Sequence, residues 1–163
     1  MPIEIIIPKT QRELADGRML SYEYIKHMRS QPSLRPYFEA QNFDADIDKM
    51  PQGYEFPDGV FLVAYIDEVA AATVAVHRLD GTTCEMKRLF VRPQFQGNGL
   101  GKLLTERAIL EAKDLGYHKM RLDNSRSVMA KANAMYKRVG FYEIEPYNQN
   151  FVADAYFMEK ILD

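Results

Sequence analysis

Seven residues in the middle of the chain, Gln96-Gly97-Asn98-Gly99-Leu100-Gly101-Lys102, have the composition of an anion-binding turn. Glycine alternates at 97, 99 and 101, just before a run with helical periodicity. Without a Cβ the backbone can take left-handed φ values there, so that successive N–H groups converge on one point. The positive end of a helix dipole lies at the same point and favours negative charge. The chemistry of such a turn is a phosphate cradle made of main chain. Lys102 either adds a point charge to it or is solvated on the first helical turn. Two familiar phosphate binders do not fit. The dinucleotide fingerprint G-x-G-x-x-G requires glycine where Lys102 stands, and the P-loop requires glycine at Gln96 and Ser or Thr at Leu103. The pattern that remains is Q/R-x-x-G-x-G/A, carried by Gln96, Gly99 and Gly101. An architectural strand-to-helix turn is the alternative reading.

A cradle needs a strand before it and a helix after it. Residues 85–91 read as the strand, bounded by Arg92-Pro93 because proline cannot donate to a sheet ladder. Leu100, Leu103, Leu104, Ala108, Ala112 and Leu115 recur every three or four residues, which puts them on one face of a helix that Gly116 ends. Residues 118–123 then form a strand opening into the polar loop 124–127, so strand, helix and strand make a right-handed crossover with a parallel pair. Upstream, strands at 60–66 and 69–79 join at Asp67-Glu68, and Asp80-Gly81 turns the chain into the central strand as an antiparallel meander. Before them come a β-branched strand at 3–7, a helix at 10–28 interrupted near Gly17, a looser helix at 34–50 ending at Pro51, and a loop over 51–59. Downstream lie a helix at 128–139 with Met129, Ala132, Met135, Tyr136 and Val139 on one face, a Gly140 stop, and strands at 141–144 and 155–161 around a long loop. The order is an α/β arrangement with a mixed sheet.

Length predicts a single domain over residues 1–163. A net charge of −2 argues against nucleic acid as a partner, since no basic excess exists to neutralise phosphates. No apolar run reaches the length of a membrane span, and the Met-Pro-Ile-Glu start lacks the features of a signal peptide. The lone Cys84 excludes an internal disulfide and fits a reducing compartment, so the cytoplasm is expected. His27, His77 and His118 have no metal-ligand spacing, and no metal is expected.

Four segments, CEMKRLFVRP, QGNGLGKLL, HKMRLDN and ANAMYKRVGF, together with the element order, resemble the GNAT superfamily of acetyltransferases over nearly the whole chain. The resemblance implies a mixed, mostly antiparallel central sheet flanked by helices, with a splayed parallel strand pair. It implies acetyl-CoA as co-substrate, with its pyrophosphate on Gln96, Gly97, Asn98, Gly99, Leu100, Gly101 and Lys102 and its pantetheine arm on the main chain of Leu89, Phe90 and Val91. It implies that Glu85, directly or through water, deprotonates the acceptor amine, against the plainer reading of an exposed strand-end glutamate paired with Lys87 or Arg88. It implies that Tyr136 protonates the leaving thiolate, against that of a core tyrosine. Direct transfer leaves Cys84 no nucleophilic role. One departure is Met129, where related sequences often have asparagine; Asn133 is expected on a different helical face, and Asn124 is the candidate polar contact instead. The acceptor is expected to be a small-molecule amine or a peptide amine approaching between Tyr22, Tyr24, His27 and Phe38 and Glu145, Tyr147, Asn148 and Phe151. The same fold could also serve as a non-catalytic acyl-CoA-binding regulatory module, and a homodimer is left open.

Overall fold

A computed structural model describes residues 2–163. Its frame is one seven-stranded sheet in the order β1-β2-β3-β4-β5-β7-β6. The strands are β1 (Ile3–Ile6), β2 (Val60–Ile66), β3 (Val69–Arg78), β4 (Thr83–Val91), β5 (Lys119–Ser125), β6 (Tyr142–Glu143) and β7 (Ala155–Ile161). All neighbours are antiparallel except β4 and β5. The expected mixed, mostly antiparallel sheet with one parallel pair is therefore what the chain forms.

Each face of the sheet carries its own core. On one, α4 (Leu100–Asp114) and α5 (Ala130–Val139) cover a cluster that includes Leu62, Val74, Met86, Met120 and Met158. On the other, α1 (Gln11–Arg29), α2 (Arg35–Ala40) and α3 (Phe43–Asp48) cover Phe61, Val63, Ala75 and Phe90. Alternation along the strands feeds both layers, because successive side chains point to opposite faces. In β4, Cys84 and Met86 enter the α4 layer, and that is where the Cys84 thiol is buried.

Two expectations about the N-terminal helices need correction. Gly17 does not interrupt α1, which runs unbroken from a Thr10–Glu13 capping box to Arg29. A Cβ at Gly17 would lie 2.5 Å from Cε2 of Phe61 and 3.1 Å from Cγ2 of Val63, so glycine is there to let the helix approach the sheet. The looser helix expected over 34–50 is two short helices, α2 and α3, the second capped by the Asn42 side chain. The break lets Phe38 and Ile47 both reach the buried layer from different directions.

β4 has two irregularities, and together they open the middle of the molecule. Its parallel pairing with β5 covers only Thr83–Lys119, Cys84–Met120 and Glu85–Arg121, after which the strands diverge. Against β3, Thr73 pairs with Phe90 and Ala75 with Lys87, so Val74 faces both Arg88 and Leu89 in a β-bulge. Arg88 there adopts φ 58°, a left-handed value uncommon for a residue with a side chain. The gap between the diverging strands is the central cavity, floored by Met86 to Leu89 and Leu122 to Ser125.

Replacing Gly17 by alanine should lower the midpoint of urea unfolding, with a stability loss of about 1–3 kcal/mol from overpacking against Phe61. An unchanged midpoint would show that the helix does not need its close approach.

Candidate active site

Two of the three alternating glycines take the left-handed backbone that their spacing suggests, and Gly101 lies within α4. Gly97 and Gly99 take φ 86° and 76°, and a Cβ at either would meet nothing within 4 Å. Both are glycine because of backbone conformation, and the space beside them is open. Gly99 caps α4 without a side-chain partner, and the first intrahelical bond runs from the Leu103 N–H to the Gly99 carbonyl at 3.0 Å. The N–H groups of Leu100, Gly101 and Lys102 thus precede the helical ladder, at the positive end of its dipole. The flanking side chains brace the loop. Gln96 Nε2 donates to the Val91 carbonyl at 2.9 Å and Asn98 Nδ2 to the Phe95 carbonyl at 3.3 Å. Lys102 is exposed on the helix surface.

From the cradle the gap runs inward along β4 and β5. Pairing of β4 with β5 ends at Glu85, so main-chain groups of Leu89, Phe90 and Val91 have no β5 partner. Across the gap, Asn124 Nδ2 donates to Asn133 Oδ1 at 2.7 Å. Their other amide atoms, Asn124 Oδ1 and Asn133 Nδ2, are buried without a partner. Whichever way the two amides are turned, one acceptor and one donor are left over. An orphaned buried polar group costs about 1–3 kcal/mol, so the pair is a half-finished contact for another amide-bearing group. The expectation that Asn133 sits on another helical face is corrected here. Met129 precedes α5 as its cap, and Asn133 lies one turn before Tyr136, both buried on the inward face.

Tyr136 packs against Phe141 and lines the cavity. Burial pushes its pKa up, with the Tyr24 phenol adding to the effect, so its proton stays on. Tyr24 on the opposite wall is raised to about 12 by burial as the largest cause. Tyr24 meets Phe38 and Phe90 edge-on, so the wall is aromatic.

Glu85 is neither exposed nor paired with Arg88; it is only 3% exposed and belongs to a buried hub. His77 is its direct partner across the β3–β4 ladder, which puts both side chains on one face. His77 Nε2 lies 2.7 Å from Glu85 Oε1, Tyr147 donates to Oε2 at 2.5 Å, and Lys87 Nζ is 3.5 Å from Oε1. Burial pushes the Glu85 pKa up, but the His77 hydrogen bond, the Lys87 charge and the Tyr147 hydrogen bond outweigh it and hold the carboxyl below its ordinary range. Lys87 stays charged: burial lowers its pKa, but Glu85 and Asp123 raise it further. The Cys84 thiol points away from this hub, toward the Lys119 carbonyl at 3.5 Å, and burial pushes it up to about 12.

Residues 22–141 match the family described as the acetyltransferase (GNAT) family. The chain belongs to the GNAT family. A Schizosaccharomyces pombe protein described as an uncharacterised N-acetyltransferase is 35% identical over 96% of this chain and 93% of its own length. An acetyltransferase of the GNAT family from Staphylococcus aureus superposes with a TM-score of 0.78 at 19% identity, covering 99% of this chain and 100% of its own. The PaiA N-acetyltransferase of Thermoplasma acidophilum, solved in complex with coenzyme A, gives 0.73 at 20% identity over 99% of both chains. The activity of the GNAT family is acyl transfer, and this chain is an acyltransferase by that membership.

Within this GNAT frame the expected acceptor walls come together only in part. Tyr24 and Phe38 line the cavity, joined by Tyr37 and Phe43, and Phe151 meets Tyr37 edge-on with ring centroids 5.1 Å apart. Asn148 holds Asp123 at 2.9 Å, and Tyr147 serves Glu85. Tyr22 instead bonds to the Asp48 carboxylate on the outer surface of α1, while His27 and Glu145 are exposed away from the cavity. Sequence reasoning missed His77 and Arg88 as members of the site. A tight turn at Asp80-Gly81 would pair His77 with Cys84. In the structure the Leu79 N–H bonds to the Thr83 carbonyl around a longer loop, held by the Asp80 side chain, and this brings His77 to Glu85.

Glu85 stabilises the fold most where it is ionised and its neighbours are in place. Its depressed pKa means that this contribution is complete above the ordinary glutamate value of 4.5 and is lost as pH falls through the lower folded value. Melting temperature followed from pH 7 into that acid range should fall less steeply for Glu85→Gln than for the wild type. Parallel curves would remove Glu85 from the linkage.

Proposed function

We propose that this protein is an N-acetyltransferase that moves an acetyl group from acetyl-CoA directly to the amine of a small molecule or a peptide. In this reading residues 1–163 act as one catalytic domain, and the buried reduced Cys84 suits a cytoplasmic setting. The observation that carries the reading is the gap between β4 and β5, with the half-satisfied Asn124–Asn133 amide pair inside it and the open glycine cradle beyond it. A long ligand with phosphates at one end and amides along its arm fits that series of groups. That PaiA was solved with coenzyme A on the same fold supports the choice.

Residues Gln96 to Lys102 would hold the pyrophosphate, mainly through the main chain of Gly97, Asn98, Gly99, Leu100, Gly101 and Lys102. Leu89, Phe90 and Val91 offer the arm main chain that β5 does not pair, apart from the Val91 carbonyl held by Gln96, and Asn124 and Asn133 offer one acceptor and one donor. When bound, the thioester supplies an acetyl group activated toward attack by an amine. The residues of the chain manage two protons. An acceptor amine with an ordinary pKa near 10 arrives protonated and must lose a proton before it attacks. Glu85 is held too firmly ionised to be a strong base alone. Its hydrogen-bonded partner His77 extends the proton path, so the proton leaves through the His77–Glu85 pair, by way of water. At the other end Tyr136, kept protonated by burial, donates to the departing thiolate, and the second proton that the nitrogen sheds as the amide forms restores the phenol.

Calorimetric titration should show binding of acetyl-CoA in preference to ATP and NAD. Gly99→Glu should weaken that binding by about a hundredfold or more, because a carboxylate would stand where phosphates belong and the φ of 76° adds strain. Tight binding by a folded variant would overturn the cradle. Tyr136→Phe should slow release of free CoA in the presence of an amine by about 10²-fold while the acetyl-CoA Kd moves little. Unchanged turnover would remove Tyr136 from the chemistry.

A further inference from the structure

Arg88 is only 6% exposed, yet no carboxylate among the described residues lies within ion-pair distance of its guanidinium. Its contacts are the Met50 sulfur, 3.0 Å from Nη1, and the faces of Phe43 and Tyr54, with ring centroids 5.9 and 5.3 Å from Cζ. A buried cation is costly unless it is paired, and sulfur and ring faces are weak partners for five N–H donors. The other charged groups facing the cavity are accounted for. Lys87 is paired with Glu85, and Asp123 Oδ2 accepts from Asn148 and Asn150 at 2.9 and 3.0 Å. Arg88 is thus the one charge in the cavity that the described residues leave without an anion.

The backbone is shaped to put it there. In a regular strand Lys87 and Arg88 would point to opposite faces, sending Arg88 into the apolar α4 layer. The bulge opposite Val74, with Arg88 at φ 58°, turns it to the α1–α3 side instead. There it shares the cavity with Lys87 and the aromatic wall of Tyr24, Tyr37 and Phe38. Strain of this kind persists where surrounding structure holds it and is concentrated at ligand sites.

We infer that Arg88 binds an anionic group of the acceptor, so that the substrate is a small amine carrying a carboxylate or phosphate rather than a plain cationic amine. The planar guanidinium fork fits both groups through paired N–H bonds. This rests on the acetyl-transfer reading and adds the chemical class of the acceptor.

The test compares kcat/KM for matched pairs of acceptors, with thiol release as the readout. The pairs are free amino acids against their C-terminal amides, and phosphoethanolamine against ethanolamine. The wild type should prefer the anionic member by about tenfold or more in at least one pair, and which pair responds tells carboxylate from phosphate. In Arg88→Gln the ratio should collapse toward one. Arg88→Lys, which keeps the charge but not the fork, should retain part of it and guards against a variant that fails to fold. Equal or better use of the neutral members by the wild type, or a preference that survives in folded Arg88→Gln, would overturn the inference and leave acetyl transfer standing. Absence of thiol release with every acceptor, in protein that does not bind acetyl-CoA, would overturn both.

Discussion

β4 keeps its parallel partner for three residue pairs and then lets it go. The site depends on that release. A strand that stayed paired with β5 would satisfy its main chain internally and close the cavity. Once the strands part, Leu89 to Val91 lose β5 as a ladder partner, the Val91 carbonyl being taken by Gln96, and Asn124 and Asn133 are left with one acceptor and one donor unmet. Buried polar groups are nearly always satisfied in folded proteins, so in the proposed reading the two unmet amide atoms beside the open gap are where a ligand would complete the structure. The bulge on the other edge of β4 adds to the divergence, since an extra residue bends the strand and increases its twist.

The two faces of the sheet then divide the work. The α4–α5 face presents the helix start, with its left-handed glycines and free N–H groups, at the outer end of the gap. The α1–α3 face encloses the inner end with aromatic rings, Lys87 and Arg88, and Lys87 ties it to the Glu85 hub alongside. This hub is cooperative in composition. His77 comes from β3, Lys87 from β4 and Tyr147 from the loop before β7, and all three converge on one carboxylate that burial alone would drive toward neutrality. Each donor is worth more inside the protein than in water, and the loss of any one leaves a buried charge less compensated.

Much of this was legible in the amino-acid sequence, for identifiable reasons. Backbone-level features are encoded locally. The alternation at Gly97, Gly99 and Gly101 signals left-handed backbone at a helix start, and Gly97 and Gly99 take such values. The periodicity from Leu100 to Leu115 gives the length of α4 and, except for Leu103, which is exposed, its inward face. Gly17 shows the limit of that logic. A glycine inside a helical pattern reads as a break from propensity alone, whereas here it marks the point of closest approach between α1 and Phe61.

What the sequence by itself determined was the order of the strands and of α1, α4 and α5, the mixed sheet and the glycine turn before α4, whereas Glu85 and Tyr136 stood out through the resemblance to the GNAT superfamily. The elements and the turn follow from patterns only a few residues long. The tertiary structure alone decided how side chains meet across strands. His77 reaches Glu85 because the β3–β4 loop is longer than its turn residues suggest, and a shift of one residue in register would send one of them to the other face. Arg88 faces the cavity because a bulge reverses its direction, and Asn133 meets Asn124 because the fold brings α5 against the end of β5. Register, bulge and packing angle are set by the balance of the whole fold, which no local pattern contains.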